Sequence, residues 1–351
     1  MFNPRSPKQV KELLYETLHM KKIINRTTHK VTSNEAALLK LKAKYPQHER
    51  ILSLLLEHRE KAKLLDSFLG SKLIDKRLIT SYNAAGTVNG RLSSQKTLFG
   101  YGANVQQTPK GPFRRMFIAP RGKKFIKLDL SQAEARAVAW FAQITPMIER
   151  FIQKDFDIHR WTAALFHGKA EKDITKEERQ LTKSIVHGIN YGRGPNNVSL
   201  VEGLPLNIVK QSFMIYNSTF PQLELWHNKI KNELYKTRRL VNPIGRQRIF
   251  MGRLDEETFR SAYGFLPQSL VVDIINKALV NLTQILPEYC HVVLQVHDEL
   301  VVEAVDYKVP ECIELMRTAC EIPIMIPPVI YPLIIPAEIG VGDNWYDTVG
   351  V

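Results

Sequence analysis

Two carboxylates, each placed where a hydrophobic strand should end, carry the most chemical information in this chain. Asp129 lies in Leu128-Asp-Leu-Ser-Gln-Ala-Glu134-Ala-Arg136, and Asp298 in Gln295-Val-His-Asp-Glu-Leu300. A pair of strand-end aspartates suits the holding of two Mg²⁺ ions over a phosphate. Phosphoryl transfer needs positioned metals more than covalent help from side chains, an arrangement already established for enzymes of this chemistry. Mg²⁺ usually takes only one or two carboxylates and leaves the rest to water and substrate phosphates. Asp129 and Asp298 are the candidate ligands, with the backbone carbonyl of Leu130 as a third. A single such Asp more often caps a turn, so the reading depends on what surrounds it.

Between them lies Arg179-Gln-Leu-Thr-Lys183-Ser-Ile-Val-His187-Gly-Ile-Asn-Tyr191-Gly192. On a helix, residues four apart drift about 40° per step, so Arg179, Lys183, His187 and Tyr191 form one slowly winding stripe. Two cations followed by two rings match a nucleoside triphosphate laid along the helix, phosphates first and base last. Solvated Arg and Lys are common on amphipathic helices, but that reading leaves Gly188 and Gly192 unexplained. Glycines there would let a flat ligand or a backbone come close.

A third group consists of long donors: Arg91 in Gly90-Arg-Leu-Ser-Ser94, then Asn104, Gln106, Arg260 and Gln268. They suit the minor-groove acceptors that every base pair presents in nearly the same place. Each alone is no more than a surface residue.

The elements that must position these groups can be read coarsely. Residues 1–80 read as helical, with Leu38, Leu41, Tyr45 and then Ile51, Leu54, Leu55, His58, Ala62 and Leu65 at three- and four-residue spacing. Ser33-Asn-Glu35 marks a helix start. A turn-rich stretch, 82–109, precedes a strand over 124–130 and a helix from about Gln132. Asp157 is an N-cap and Gly168 a stop for a helix through His159 to Phe166. Thr175-Lys-Glu-Glu178 is a capping box opening the helix of the stripe. A long helix is expected over 258–286, and His291–Val296 and Leu300–Ala304 read as a strand–turn–strand around Asp298.

Composition sets the class. The 351 residues are 44% hydrophobic and 24% charged, as in globular proteins with room for two or three lobes. Residues 1–80 carry net +9, residues 81–285 net +14, and the last 66 net −9. A basic body suits a polyanion, because neutralised phosphates release counterions. The three cysteines form no C-x-x-C pair and no even disulfide framework, which favours a reducing compartment. No signal-like apolar run opens the chain, and the apolar stretch 322–339 is broken by five prolines. That stretch reads as extended or edge structure, not a membrane helix. A soluble, intracellular, cytoplasmic protein is expected.

Asp129-Leu-Ser-Gln-Ala-Glu134-Ala-Arg136, Arg179…Lys183…Tyr191-Gly192 and Val296-His-Asp298-Glu299-Leu resemble the three signature motifs of family A DNA polymerases, the bacterial DNA polymerase I family. Gly90-Arg-Leu-Ser-Ser94, Asn104-Val-Gln-Gln-Thr-Pro109, Asp157-Ile-His159-Arg and Gly342-Asp-Asn-Trp345 follow in the family's order, so the resemblance covers the chain from about residue 33 onward. It implies a mixed α+β, right-hand fold with an antiparallel-sheet palm, helical fingers and a reduced helical thumb. The thumb would be 1–80, the palm 81–150 plus 245–351, and the fingers 151–244 with the nucleotide-binding helix at 175–192.

By the same resemblance, Asp129 and Asp298 are the metal ligands and Glu299 an accessory carboxylate. Arg179, Lys183 and His159 hold the triphosphate, and Lys183 is the general acid toward pyrophosphate. Tyr191 packs at the nascent base pair, Glu134 is the steric gate against a ribose 2′-OH, and Gln132 and His187 complete the nucleotide site. Arg91, Asn104, Gln106, Arg260 and Gln268 contact primer–template, with His297 near the primer terminus. The implied cofactor is a pair of Mg²⁺ ions, with Mn²⁺ able to substitute. The implied partners are primer–template DNA and dNTPs, with a separate processivity or nuclease partner left open, no membrane, and a monomer sufficient for the chemistry.

Three positions depart from the family pattern. His187 replaces an aromatic, Leu130 replaces a usual Tyr, and Gly264 stands where the family usually has an Asn. No proofreading exonuclease is expected, and the small size suits a phage or mobile-element replicase working in the host cytoplasm. Three other readings remain: a single-subunit RNA polymerase, a metal-dependent nuclease, and a degenerate polymerase fold kept as a DNA-binding scaffold.

Overall fold

The computed structural model describes residues 2–25, 28–153 and 155–351. Met1, Arg26 and Thr27 of the expected thumb segment and Lys154 of the expected fingers segment lie outside the described residues. Two compact units divide the chain, one of residues 1–81 and 94–104, the other of 82–93 and 105–351. The short strands β1 (Ser81–Asn83) and β2 (Ser93–Gln95) each span a point where the chain passes from one unit to the other.

The first unit is helical: α1 (Pro7–Glu12), α2 (Glu35–Lys44) and α3 (Glu49–Leu64). Asn34 caps α2 by accepting from the Ala37 amide, one of the donors a helix start leaves unpaired. Val10, Leu14, Met20, Leu38, Leu41, Leu52 and Leu55 form its core. Of the residues whose spacing marked this helix, Leu55 is buried, while Ile51 and Leu54 on α3 and Leu65 just after it are exposed. The run from Ile51 to Leu56 is apolar almost all round, so period alone could not choose its face, and α3 turns Leu52 and Leu55 inward.

The second unit is built on a five-stranded antiparallel sheet of order β6-β7-β3-β8-β9. The strands are β3 (Lys123–Leu130), β6 (Cys290–Val296), β7 (Glu299–Val305), β8 (Ala337–Gly342) and β9 (Val349–Gly350). On β3, Ile126, Leu128 and Leu130 face the main core, while Asp129 belongs to the alternate face. Most of the apolar 322–339 stretch lies outside helix and strand, and its last residues, 337–339, enter β8 and pair with β3.

Against that core pack α4 (Ala133–Phe141), α11 (Glu256–Ile285) and α12 (Val309–Cys320). The remaining helices are α5 (Thr145–Ile152), α6 (Ile158–His167), α7 (Lys176–Asn190), α8 (Pro195–Glu202), α9 (Leu206–Thr219) and α10 (Gln222–Thr237). A ribbon of β4 (Arg239–Val241) and β5 (Gln247–Ile249) joins α10 to α11. The capping signals are realised: Asp157 accepts from the amides of His159 and Arg160, and Thr175 and Glu178 form the reciprocal box that opens α7. Among the described residues no helix is long and apolar enough to cross a membrane.

Candidate active site

Strand register assembles the acidic centre. Asp129 stands opposite Glu299 on β7 and opposite Glu338 on β8, so three carboxylates form one row across three strands. Residues directly opposite share a face of the sheet. Asp298 sits in the two-residue turn between β6 and β7, after His297 at φ 59°. The crowding shows in Asp129, whose carboxyl is pushed up to about 7, first by burial and then by Asp298, Glu299 and Glu338 in that order. Lys110 opposes them only weakly. Excess negative charge around a buried carboxylate is what a divalent cation would neutralise. Among the described residues no three His, Cys, Asp or Glu side chains form a protein-built cage.

Glu299 is already engaged. Arg114 donates to both its oxygens at 3.3 Å, and the Trp345 indole N–H donates to Oε1 at 2.5 Å. The Arg114 guanidinium lies 3.9 Å from the Trp345 ring centroid, and both residues are buried. The hairpin bearing Asp298 is braced from below. Tyr82 donates to the Gln295 carbonyl at 2.8 Å and accepts from its amide, while Gln106 reaches the Gln295 side chain at 2.9 Å. A bulge between Val292 and Leu294 interrupts the β6–β7 ladder just before it, and such bulges re-aim neighbouring side chains.

Helix α7 carries the expected stripe. Lys183 and His187 are exposed, and Tyr191, at the C-cap, is buried. Arg179 is bound through Nε to Asp157 at 2.5 Å. Burial would raise the Asp157 carboxyl, but Arg179 and the Arg160 amide outweigh it and hold it below its usual range. His159 is buried, and burial followed by the Lys183 charge lowers it to about 4, so it is neutral near pH 7. Any contact it makes with a triphosphate would be a hydrogen bond and not a charge pair. The His187 ring meets Tyr191 edge-on at 4.6 Å between centroids.

Glu134, in the first turn of α4, gathers three of the expected residues. Tyr191 donates its hydroxyl to one oxygen, Arg91 reaches the other at 3.3 Å, and His187 Nδ1 lies 3.8 Å away. Burial and then the Glu134 charge raise the Tyr191 phenol well above its ordinary range, so it remains a donor. Gln132 engages its side-chain amide with the Phe156 carbonyl and the Ile158 amide. The two glycines serve neighbours other than those expected. A Cβ at Gly188 would come within 2.6 Å of Val198, and one at Gly192 (φ 70°) within 2.8 Å of the Tyr263 ring. Side-chain packing requires Gly188, and packing together with a left-handed backbone requires Gly192.

A cavity of about 460 Å³ opens beside Tyr191, lined by Asn89, His187, Arg193, Arg260 and Gln268 among others. Asn89 donates to Gln268 at 2.9 Å. Gly90 (φ 82°) leaves room for the Arg246 guanidinium, which a Cβ would meet at 2.3 Å; Arg246 is in turn held bidentate by buried Asp273. The loop before Arg91 is thus fixed from α11. Asn89 Oδ1 and Arg91 Nε are buried and without a hydrogen-bond partner among the described residues. Of the other expected donors, Gln106 braces the Asp298 hairpin and Asn104 belongs to the first unit.

The family model for DNA polymerase family A matches residues 1–347. The chain belongs to DNA polymerase family A. It is 30% identical over 368 residues to DNA polymerase I of Helicobacter pylori, covering 99% of this chain and 38% of that protein. It is 29% identical over 364 residues to the thermostable DNA polymerase I of Thermus aquaticus, covering 98% and 42%. The polymerase domain of Pol1 from M. smegmatis, solved with DNA primer–template and dNTP, superposes with a TM-score of 0.83 at 25% identity, covering 98% of this chain and 61% of that one. The chain thus spans about two fifths of the length of the curated relatives it matches.

Within this family A chain, several participants escaped the sequence reading. Asn89 was legible only as half of an Asn-Gly turn. Arg114, Glu338, Arg193 and Arg248 stand in no recognisable pattern, because strand register or cavity shape alone brings them to the site. Asp157 was visible as a helix cap, but its grip on Arg179 links two helices and leaves no local signal.

Proposed function

We propose that this protein is a DNA-templated DNA polymerase that extends a primer 3′ end with dNTPs. The observation that carries the reading is the convergence on Asp129: the β3–β7 register sets it opposite Glu299, the residue next to Asp298, although 169 residues separate the two aspartates in the chain. Asp129, Asp298 and the Leu130 carbonyl would hold two Mg²⁺ ions, which when bound neutralise developing phosphoryl charge and activate the primer hydroxyl. Mn²⁺, with similar oxygen preference, would substitute.

The chain's own residues take the other tasks. Arg179, aimed by Asp157, and exposed Lys183 bind the triphosphate, and Lys183 protonates the leaving pyrophosphate. Tyr191 covers the nascent pair while Glu134 occupies the space a 2′-hydroxyl needs. Arg91, Asn104, Gln106, Arg260, Gln268 and His297 contact primer–template. The partnerless atoms of Asn89 and Arg91 support a polar ligand at that place. The first unit carries 18 Lys and Arg against 8 Asp and Glu, net +10, which suits a duplex-gripping thumb. Palm segments 81–150 and 245–351 are supported by the sheet, which draws β3 from the first and four strands from the second.

The test is extension of a labelled primer on a DNA template with Mg²⁺ and four dNTPs, beside Asp298→Ala. Template-matched extension lost in the variant supports the reading. Tight primer–template binding without extension would instead leave the scaffold reading, and preference for NTPs the RNA polymerase reading.

A further inference from the structure

Helix α11 presents Arg260, Gly264 and Gln268 to the cavity, each four residues from the next. A glycine inside a helix is destabilising relative to alanine, so its presence calls for a spatial reason. Close packing is not that reason. A Cβ at Gly264 would have its nearest neighbours in the Gln268 side chain, at 3.7 Å, an ordinary contact with the far end of a flexible group. Gly188 and Gly192 differ in this respect, since a Cβ at either would collide with Val198 or Tyr263. What Gly264 does is leave space open between two long donors, across a cavity whose other wall is His187 and Tyr191.

That space has a chemical counterpart. If Arg260 and Gln268 face the minor-groove edge of a base pair, a substituent on that edge would enter the gap between them. Guanine N2 is the one exocyclic group that distinguishes base pairs in the minor groove. We propose that the Gly264 gap admits template guanine alkylated at N2, so that this chain copies through minor-groove adducts. The proposal rests on the polymerase reading above and narrows its substrate class.

The experiment compares single-nucleotide insertion of dCTP opposite guanine and opposite N2-ethylguanine, for wild type, Gly264→Ala and Gly264→Asn. Each protein is scored by its own ratio of kcat/KM on the adduct to kcat/KM on the plain template, which cancels any general loss. Alanine fits without a clash, so folding is secure for at least one variant. The wild-type ratio is expected within about tenfold of unity, falling at least tenfold in Gly264→Asn with Gly264→Ala between. A wild type that copies guanine but stalls at the adduct, or a ratio unchanged in Gly264→Asn, would overturn the proposal alone. No insertion opposite plain guanine would remove the polymerase reading and this proposal with it.

Discussion

Asp129 and Glu299 face each other directly across the β3–β7 ladder, yet only Asp129 has its charge uncompensated. Arg114 and the Trp345 indole hold the Glu299 carboxylate. Two acids in one cross-strand pair therefore differ in setting because their neighbours differ. Register decides that they meet, and side chains from nine residues before β3 and from near the end of the chain decide which of the two is already held.

The first expectation follows from that asymmetry. Asp129→Asn should lower the single-turnover extension rate by about 10³-fold or more, the scale on which loss of a metal-binding charge acts. Glu299→Gln keeps the indole and guanidinium contacts partly served and should lower it about tenfold. Equal losses in the two variants, measured with saturating Mg²⁺, would show that Glu299 binds the metals as directly as Asp129.

Stability should separate two adjacent arginines. Arg114 and Glu299 are both nearly buried, and leaving a buried charge unpaired typically costs about 3–5 kcal/mol. Arg115 pairs with Asp347 where both side chains are about half exposed, a setting in which solvent screens the pair and its loss costs little. Urea unfolding of Arg114→Met and Arg115→Met should show that contrast, and similar midpoints in the two variants would contradict it.

Acid should weaken the fold through two histidines, one buried and one partly buried. His159 and His227 are each lowered to about 4, chiefly by burial; Lys183 adds to the shift at His159 and Lys231 at His227, against Asp157 and the Asn190 carbonyl. A folded value below the unfolded 6.5 means the unfolded chain binds the proton first. Their contribution is thus complete above about pH 6.5 and lost as pH falls toward about 4. Between pH 7 and pH 5 each should remove about 1–2 kcal/mol. Urea midpoints at the two pH values, in wild type and His227→Gln, check this. An unchanged pH dependence in the variant would refute the assignment to His227.

How much of this was legible depends on the range of each signal. Caps and strands written in neighbouring residues, such as Asn34, Asp157, the Thr175–Glu178 box and the Asp298 hairpin, appear where expected. The stripe on α7 is legible because a helix repeats at a fixed interval. What local pattern misses is pairing at a distance. The Glu338 row, the Arg114 clamp and the Arg246 support of Gly90 each depend on chain segments meeting through the fold. The buried face of α3 was not legible for another reason: a run apolar on all sides contains no direction.

Glu134 offers the last expectation, because it is shared. It accepts from Tyr191 and Arg91 and lies within 3.8 Å of His187, so it both fills space and fixes the ring that closes the cavity. Glu134→Ala should open the room for a 2′-hydroxyl and raise the rNTP-to-dNTP ratio of kcat/KM by about 10²-fold. Glu134→Gln keeps the volume and a hydrogen-bond acceptor, and should leave that ratio within about threefold while weakening the hold on Arg91. If volume is what excludes ribose, the two variants separate on nucleotide choice. If the charge does it, Glu134→Gln will incorporate ribonucleotides as readily as Glu134→Ala, and the steric reading of Glu134 fails.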